Sequence, residues 1–258
     1  MSVVKRAGRA AMVTLIAGTV GGAALLTAEA IIARRRVYAQ PALGLNLRTR
    51  LGHEGAPPLR LVMLGDSGAL GVGVERVTDT VGGQLATLLA TDRRVELSSV
   101  GVSGSRSSDL ATQVARALLG QRPDVAVILV GANDVIGLRS PNESSTHLSA
   151  AVRRLREGGV EVVVGTCPDL GAARAIAPPL RQVVAWWGRR VARAQVRAVH
   201  AAGGAVVDLA TETGPVFRAD PNTLCEDRYH PSADGYRVWA YALLPAVAHA
   251  AGVSPTLP

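Results

Sequence analysis

A chain of 258 residues with 48% apolar but only 3% aromatic side chains has room for one domain of about 200 residues plus an appendage, with a core built from Val, Leu, Ile and Ala. Its formal charge of +8 is almost entirely arginine, and Lys5 is the only lysine. Lys5, Arg6, Arg9, Arg34, Arg35 and Arg36 against Glu29 concentrate that charge in residues 1–36, so the rest is nearly balanced and nucleic acid is excluded as a partner.

Taken in chain order, the first feature is an uncharged run over residues 10–28 between two basic clusters. Nineteen helical residues span about 28 Å, close to the hydrocarbon thickness of a bilayer. Residues 1–36 are therefore expected to be a membrane anchor or signal segment, with the globular part extracytoplasmic or secreted. Ala28-Glu29-Ala30 has the small-x-small pattern of a cleavage site, so a cleaved signal stays open. So does a soluble helix, because the run is rich in Ala, Gly and Thr. Arginines on both sides leave the membrane orientation undecided. Residues 37–58 contain Pro41, Gly44, Gly52, Gly55, Pro57 and Pro58 and read as a linker. Residues 59–252 form the globular domain, and 253–258 a tail.

Within that domain, five short β-branched runs read as strands: Leu59–Gly65, Val95–Gly101, Asp124–Gly131, Val160–Thr166 and Gly204–Ala210. Helical patterns fall between and after them, at Val77–Ala90, Ser107–Leu119, Glu143–Glu157, Leu180–Ala201 and Ser232–Ala250. Ser107 or Ser108 is available to cap the second helix. Apolar strands alternating with helices predict a three-layer α/β/α domain around a five-stranded parallel sheet of flavodoxin-like order. The arginines of Leu180–Ala201 read as a solvated helix face, and adjacent Trp186 and Trp187 cannot both face the core. Cys167 and Cys225 lack metal-ligand spacing and are expected to be unpaired, although a bridge in an oxidising compartment stays open.

The chemistry gathers at the strand ends. The first strand runs into "GDSGALGVG", glycines around one serine. A phosphate loop is excluded because no lysine follows position 5. A dinucleotide turn fails because Arg76 stands where the third glycine is required. The G-x-S-x-G elbow fails at Ala69. Ser67 remains a nucleophile candidate in a turn of another kind. It needs a base, an orienter and oxyanion donors. Among five histidines, only His230 follows an aspartate, Asp227, in a loop just before a helix, "CEDRYHPSADGY". An isolated D-x-x-H also occurs at ordinary helix entrances. Gly104, after the second strand, offers a backbone N–H free of a Cβ. Asn133, after the third, offers a side-chain amide. A flavodoxin-like strand order would bring all of these to one crevice.

Gly65-Asp66-Ser67, Gly104, Gly131-Ala132-Asn133-Asp134 and Asp227-Arg228-Tyr229-His230 resemble, in order, the four blocks of the SGNH (GDSL-like) hydrolases. The resemblance spans residues 59–252. It implies Ser67 as nucleophile, His230 as general base and Asp227 as its orienter. It also implies an oxyanion hole of the Ser67 and Gly104 N–H groups and the Asn133 side chain. The implied activity is hydrolysis or transfer of acyl esters, on a small-molecule or lipid substrate, with no metal or cofactor. The arginine- and alanine-rich composition looks like an actinobacterial, exported branch. One departure stands out: the leucine usual after the serine is Gly68, which is expected to loosen the turn or widen the site. Asp66 is expected to accept backbone hydrogen bonds and Asp134 to cap the segment after it. Asp169 is expected to border the cleft.

Overall fold

The apolar run before Ser67 forms β2 (Pro58–Gly65), the central strand of a six-stranded sheet. The others are β1 (Arg48–Leu51), β3 (Arg94–Ser99), β4 (Val125–Leu129), β5 (Glu161–Gly165) and β6 (Ala205–Val207), in the order β1-β3-β2-β4-β5-β6. The computed structural model describes residues 21–33, 35–43 and 47–253. β2 to β6 are mutually parallel, in register from Leu61↔Val125 to Gly165↔Val207. These are the five expected strands in the expected order.

Burial on both faces explains the largely apolar character of β2, β4 and β5, whereas β3, next to the edge strand, alternates between buried and half-buried residues. Leu59, Leu61 and Met63 of β2 and Val125 and Val127 of β4 pack one way, against α3 (Val81–Leu89) and α10 (Ala233–Ala250). Val62, Leu64, Ala126 and Ile128 pack the other way, against α4 (Leu110–Ala117), α6 (Pro141–Glu157) and α7 (Leu180–Ala201). The period-2 alternation of strand side chains divides these two cores. α7 buries Val184, Val191 and Val199 and exposes Arg189, Arg190, Arg193 and Arg197, the solvated face expected. Trp186 is exposed, and Trp187 donates to the Arg139 carbonyl.

Several boundaries differ from the sequence reading. The expected linker carries β1, which pairs antiparallel with β3 and makes the sheet six-stranded and mixed. Its outward arginines conceal it, and Arg50 pairs with Glu96 of β3 at 3.0 Å. Leu47, just before it, is buried in the core. The helix expected from Val77 breaks at Thr80, whose hydroxyl accepts from the Gly83 N–H and starts α3 afresh. Neither Ser107 nor Ser108 caps α4; a 3-10 turn over Ser107–Asp109 leads into it. α6 begins at Pro141, with Ser140 as its cap. The short helices α2 (Ser67–Leu70), α5 (Ala132–Ile136), α8 (Leu209–Glu212) and α9 (Gly214–Ala219) were not legible.

At the N-terminus, residues 21–33 are helical (α1). Most of the membrane run expected at 10–28 lies outside the described residues. Among the described residues no helix is long and apolar enough to cross a membrane.

Candidate active site

The turn that presents Ser67 is built by backbone constraints. Gly65 has φ 130°, and a Cβ there would fall 1.8 Å from the Leu129 carbonyl oxygen, so only glycine fits beside β4. The Asp66 N–H donates to that same oxygen at 3.0 Å. Asp66 then caps α2, its carboxylate accepting from the Gly68 N–H at 3.0 Å, and left-handed Gly71 closes the turn. Ser67 is thus the first helical residue, projecting from the strand tip. Burial pushes the Asp66 carboxyl up to about 6, against the pull of the Gly68 N–H.

His230 lies across from it. Its Nε2 is 3.1 Å from Ser67 Oγ, and its Nδ1 is 2.6 Å from Asp227 Oδ2. The loop folds this way because Arg228 adopts φ 60°, turning the chain back so that the Tyr229 and His230 N–H groups reach Asp227 Oδ1 at 2.7 and 2.9 Å. The His230 carbonyl accepts from the Cys225 N–H, and Leu224 pairs with Pro231, which closes the loop base. Burial opposes charge on Asp227, but the bonds from the His230 ring and from the Ala39, His230 and Tyr229 N–H groups prevail. They hold its carboxyl well below the usual carboxylate range. An ionised Asp227 fixes the proton on Nδ1 and leaves Nε2 to accept from Ser67.

The two expected donors belong to one bonded unit. Gly104 sits at φ 82°, on the exposed crest of the loop after β3. No atom lies within 4 Å of where its Cβ would be, so the backbone angle, not a crowded approach, requires glycine. The Val102 N–H donates to the Gly65 carbonyl, and Asn133 Nδ2 donates to the Ser105 carbonyl at 3.0 Å. That leaves one Asn133 N–H for another acceptor. Asp134 does not cap its own segment. It is buried and accepts from the Ser107 N–H and hydroxyl, tying the Asn133 helix to the Gly104 loop.

Two glutamines, neither marked by any motif, hold these tips in place. Gln113 Oε1 accepts from the Gly65 N–H at 2.7 Å; its Nε2 donates to the Gly65 carbonyl at 2.9 Å and to Ser105 Oγ at 3.1 Å. Gln195 does the same between the Cys167 N–H and the Val130 carbonyl. Each interrupts an apolar helix stripe (Leu110, Val114 and Ala117; Val191, Ala192 and Val199), and that is the signal that could have found them.

An apolar pocket opens beside Ser67 and His230, lined by Leu129, Leu170, Leu209, Phe217, Tyr229 and Trp239 among others. Neither Gly104 nor Asn133 lines it; their segments are tied to the end of β2 through the Val102–Gly65 bond and the Asn133–Ser105–Gln113 bonds. Trp239 explains Gly68. A Cβ on Gly68 would lie 3.1 Å from the indole Cζ3, so the ring occupies the place a side chain there would take. The expected widening is absent at that point because the indole fills the space, and the Gly68 N–H is held by the Asp66 carboxylate. Asp169 lines the pocket and is also bonded, to the Gly171 N–H and to Arg218 Nε at 2.6 Å. Cys167 and Cys225 are free thiols. Burial raises the Cys167 thiol well above its ordinary value, which leaves it a poor nucleophile.

A predominantly parallel α/β/α sheet with a hydrogen-bonded Ser–His–Asp constellation at the carboxyl ends of its strands defines a class, that of α/β serine hydrolases. Within it the chain belongs to the GDSL-like lipase/acylhydrolase family, whose sequence model matches residues 63–238. The chain is 44% identical over 193 residues to a GDSL-like esterase of Mycobacterium tuberculosis, a match covering 73% of this chain and 62% of that protein. It therefore spans less than two thirds of that relative's length. The mycobacterial source agrees with the actinobacterial branch expected from the sequence. Among solved structures, a catalytic mutant of Axe2, an acetylxylan esterase from Geobacillus stearothermophilus, superposes with TM-score 0.57 at 19% identity, covering 80% of this chain and 100% of that one. LAE5, an α/β hydrolase from the metagenome of Lake Arreo, gives TM-score 0.58 at 24% identity, covering 76% and 96%. At such identities the likeness is one of fold.

Proposed function

We propose that the chain hydrolyses carboxylic esters through an acyl-enzyme on Ser67. The observation that carries the reading is the single imidazole bonded to both Ser67 Oγ and the Asp227 carboxylate. His230 Nε2 takes the serine proton as Oγ attacks the acyl carbon, and Asp227 steadies the imidazolium that forms. The Ser67 and Gly104 N–H groups and the free N–H of Asn133 receive the oxyanion. His230 then protonates the leaving alcohol. Water, deprotonated by the same imidazole, attacks the acyl carbon and releases Ser67. The apolar pocket beside Ser67 suits the acyl part of a small-molecule or lipid ester. The mycobacterial relative's description as an esterase supports hydrolysis over transfer to another alcohol. An intact, bonded Ser, His and Asp argues against an idle binding module.

Residues 1–36 are proposed to hold the chain at a membrane, with the domain extracytoplasmic. The support is the uncharged run at 10–28 between its basic flanks. Turnover of p-nitrophenyl esters by the parent, Ser67→Ala and His230→Ala tests the reaction. Product analysis with and without an added alcohol separates hydrolysis from transfer. The reading requires activity in the parent alone and free acid as its product.

A further inference from the structure

We propose that residues 36–39, preceding β1, are a strap that positions the catalytic carboxylate, with the Ala39 N–H as its working contact; this rests on Asp227 being the orienter of His230. Asp227 Oδ1 receives the Tyr229 and His230 N–H groups and the Cys225 thiol, all from its own loop. Oδ2, the oxygen bound to the imidazole, receives one further donor, the Ala39 N–H at 2.9 Å, from 188 residues earlier in the chain. The loop's own donors move with the loop. Among the described residues, Ala39 alone ties this carboxylate to a different part of the molecule.

The strap is fastened on both sides. Arg36 donates to the Ala175 carbonyl at 3.3 Å, and the Ala175 N–H donates to the carbonyl of Arg228 in the catalytic loop. The Tyr38 ring stands edge-on to Tyr229, with centroids 5.1 Å apart, and to His230 at 6.4 Å. Its hydroxyl donates to the Ala33 carbonyl at 3.0 Å. Upstream, Glu29 of α1 accepts from the Leu180 N–H at the start of α7. A carboxylate oxygen facing both an imidazole and solvent would share its lone pairs with water and allow the pair to rock. Buried and bonded by Ala39, with Tyr38 against the His230 ring, it has one orientation, and so has the imidazole. A base held in the attack geometry raises kcat rather than substrate affinity. The end of the expected anchor segment, Arg36, and the start of the expected linker, residues 37–39, thus complete the site.

The test uses the full chain and p-nitrophenyl butyrate. Two forms delete the donor: Ala39→Pro, and a backbone ester made by placing lactic acid at position 39, which removes the N–H and little else. Both are expected to lower kcat about tenfold, the usual scale for a hydrogen bond to a charged group, with KM within twofold and a single cooperative unfolding transition retained. Ala39→Ser, which restores the N–H, is expected to recover the rate. Ser67→Ala and Asp227→Ala are run beside them. If those two are inactive but both donor-deleted forms turn over like the parent, the strap is wrong and the triad stands. If Ser67→Ala matches the parent, the triad reading itself fails. Loss appearing in KM instead of kcat, or equally in Ala39→Ser, also overturns the strap, because either assigns the effect to packing.

Discussion

Replacing Gly68 by leucine, the residue usual in the family at this place, tests whether Trp239 has taken over its space. A Cβ at position 68 would lie 3.1 Å from Trp239 Cζ3 and 3.4 Å from Asp66 Oδ1. Alanine needs the indole to yield slightly, and it gains about 0.5–1 kcal/mol by removing a glycine from α2, so Gly68→Ala is expected to be nearly neutral. Leucine pushes three more carbons into the same volume. The indole has no easy retreat, flanked by Phe217 at 5.9 Å and Tyr236 at 5.8 Å between centroids. Overpacking of this kind costs about 1–3 kcal/mol. Trp239→Ala alone opens a cavity costing about 3–5 kcal/mol. Leucine at 68 fills part of that cavity, so the double variant is expected to be more stable than the sum of the two by at least about 1 kcal/mol. Urea unfolding of the four proteins measures the cycle. A Gly68→Leu protein as stable as the parent, or energies that add within about 0.5 kcal/mol, would mean that Trp239 does not occupy the space of a residue-68 side chain.

Three other outcomes follow from the site. Gln113→Leu leaves the buried N–H and carbonyl of Gly65 without their side-chain partners and is expected to cost about 2–4 kcal/mol in urea unfolding, with a lower kcat because the Ser67 turn loses its tie to Ser105. Asn133→Ala is expected to cost about 2–4 kcal/mol of barrier, read as kcat, with KM little changed. Asp66 titrates near 3.8 when unfolded and at about 6 when folded, so the unfolded state ionises first as pH rises. Its contribution to stability therefore falls by about 3 kcal/mol in all between about pH 3 and pH 7, about 2 kcal/mol of it between pH 4 and pH 6, and then levels off. Asp66→Asn is expected to abolish that fall, as measured by unfolding free energies across this range.

β2, β4 and β5 were legible because burial on both faces leaves a nearly uninterrupted apolar run, as in Val125–Val130. Ser67, Asp227 and His230 were legible because each stands at a strand or helix boundary in a distinctive short block, and the structure brings all three into hydrogen-bond contact. β1 was hidden because an edge strand of four residues with two outward arginines carries almost no apolar signal. Gln113 and Gln195 act through tertiary contacts that no local pattern announces, beyond a polar residue on an apolar stripe. Ala39 was beyond reach, since its role lies in a backbone N–H and depends on where a proline- and glycine-punctuated segment comes to rest. Gly68 raised the right question, but its answer, the Trp239 ring, comes from a helix near the other end of the chain.

The most direct measurement is labelling of the full chain with a fluorophosphonate probe, which reacts only with an activated serine, beside Ser67→Ala and His230→Ala. A single adduct on Ser67 is expected in the parent and none in either variant. A well-folded parent that takes no label, or a Ser67→Ala protein that still takes it, would mean that Ser67 is not an activated nucleophile.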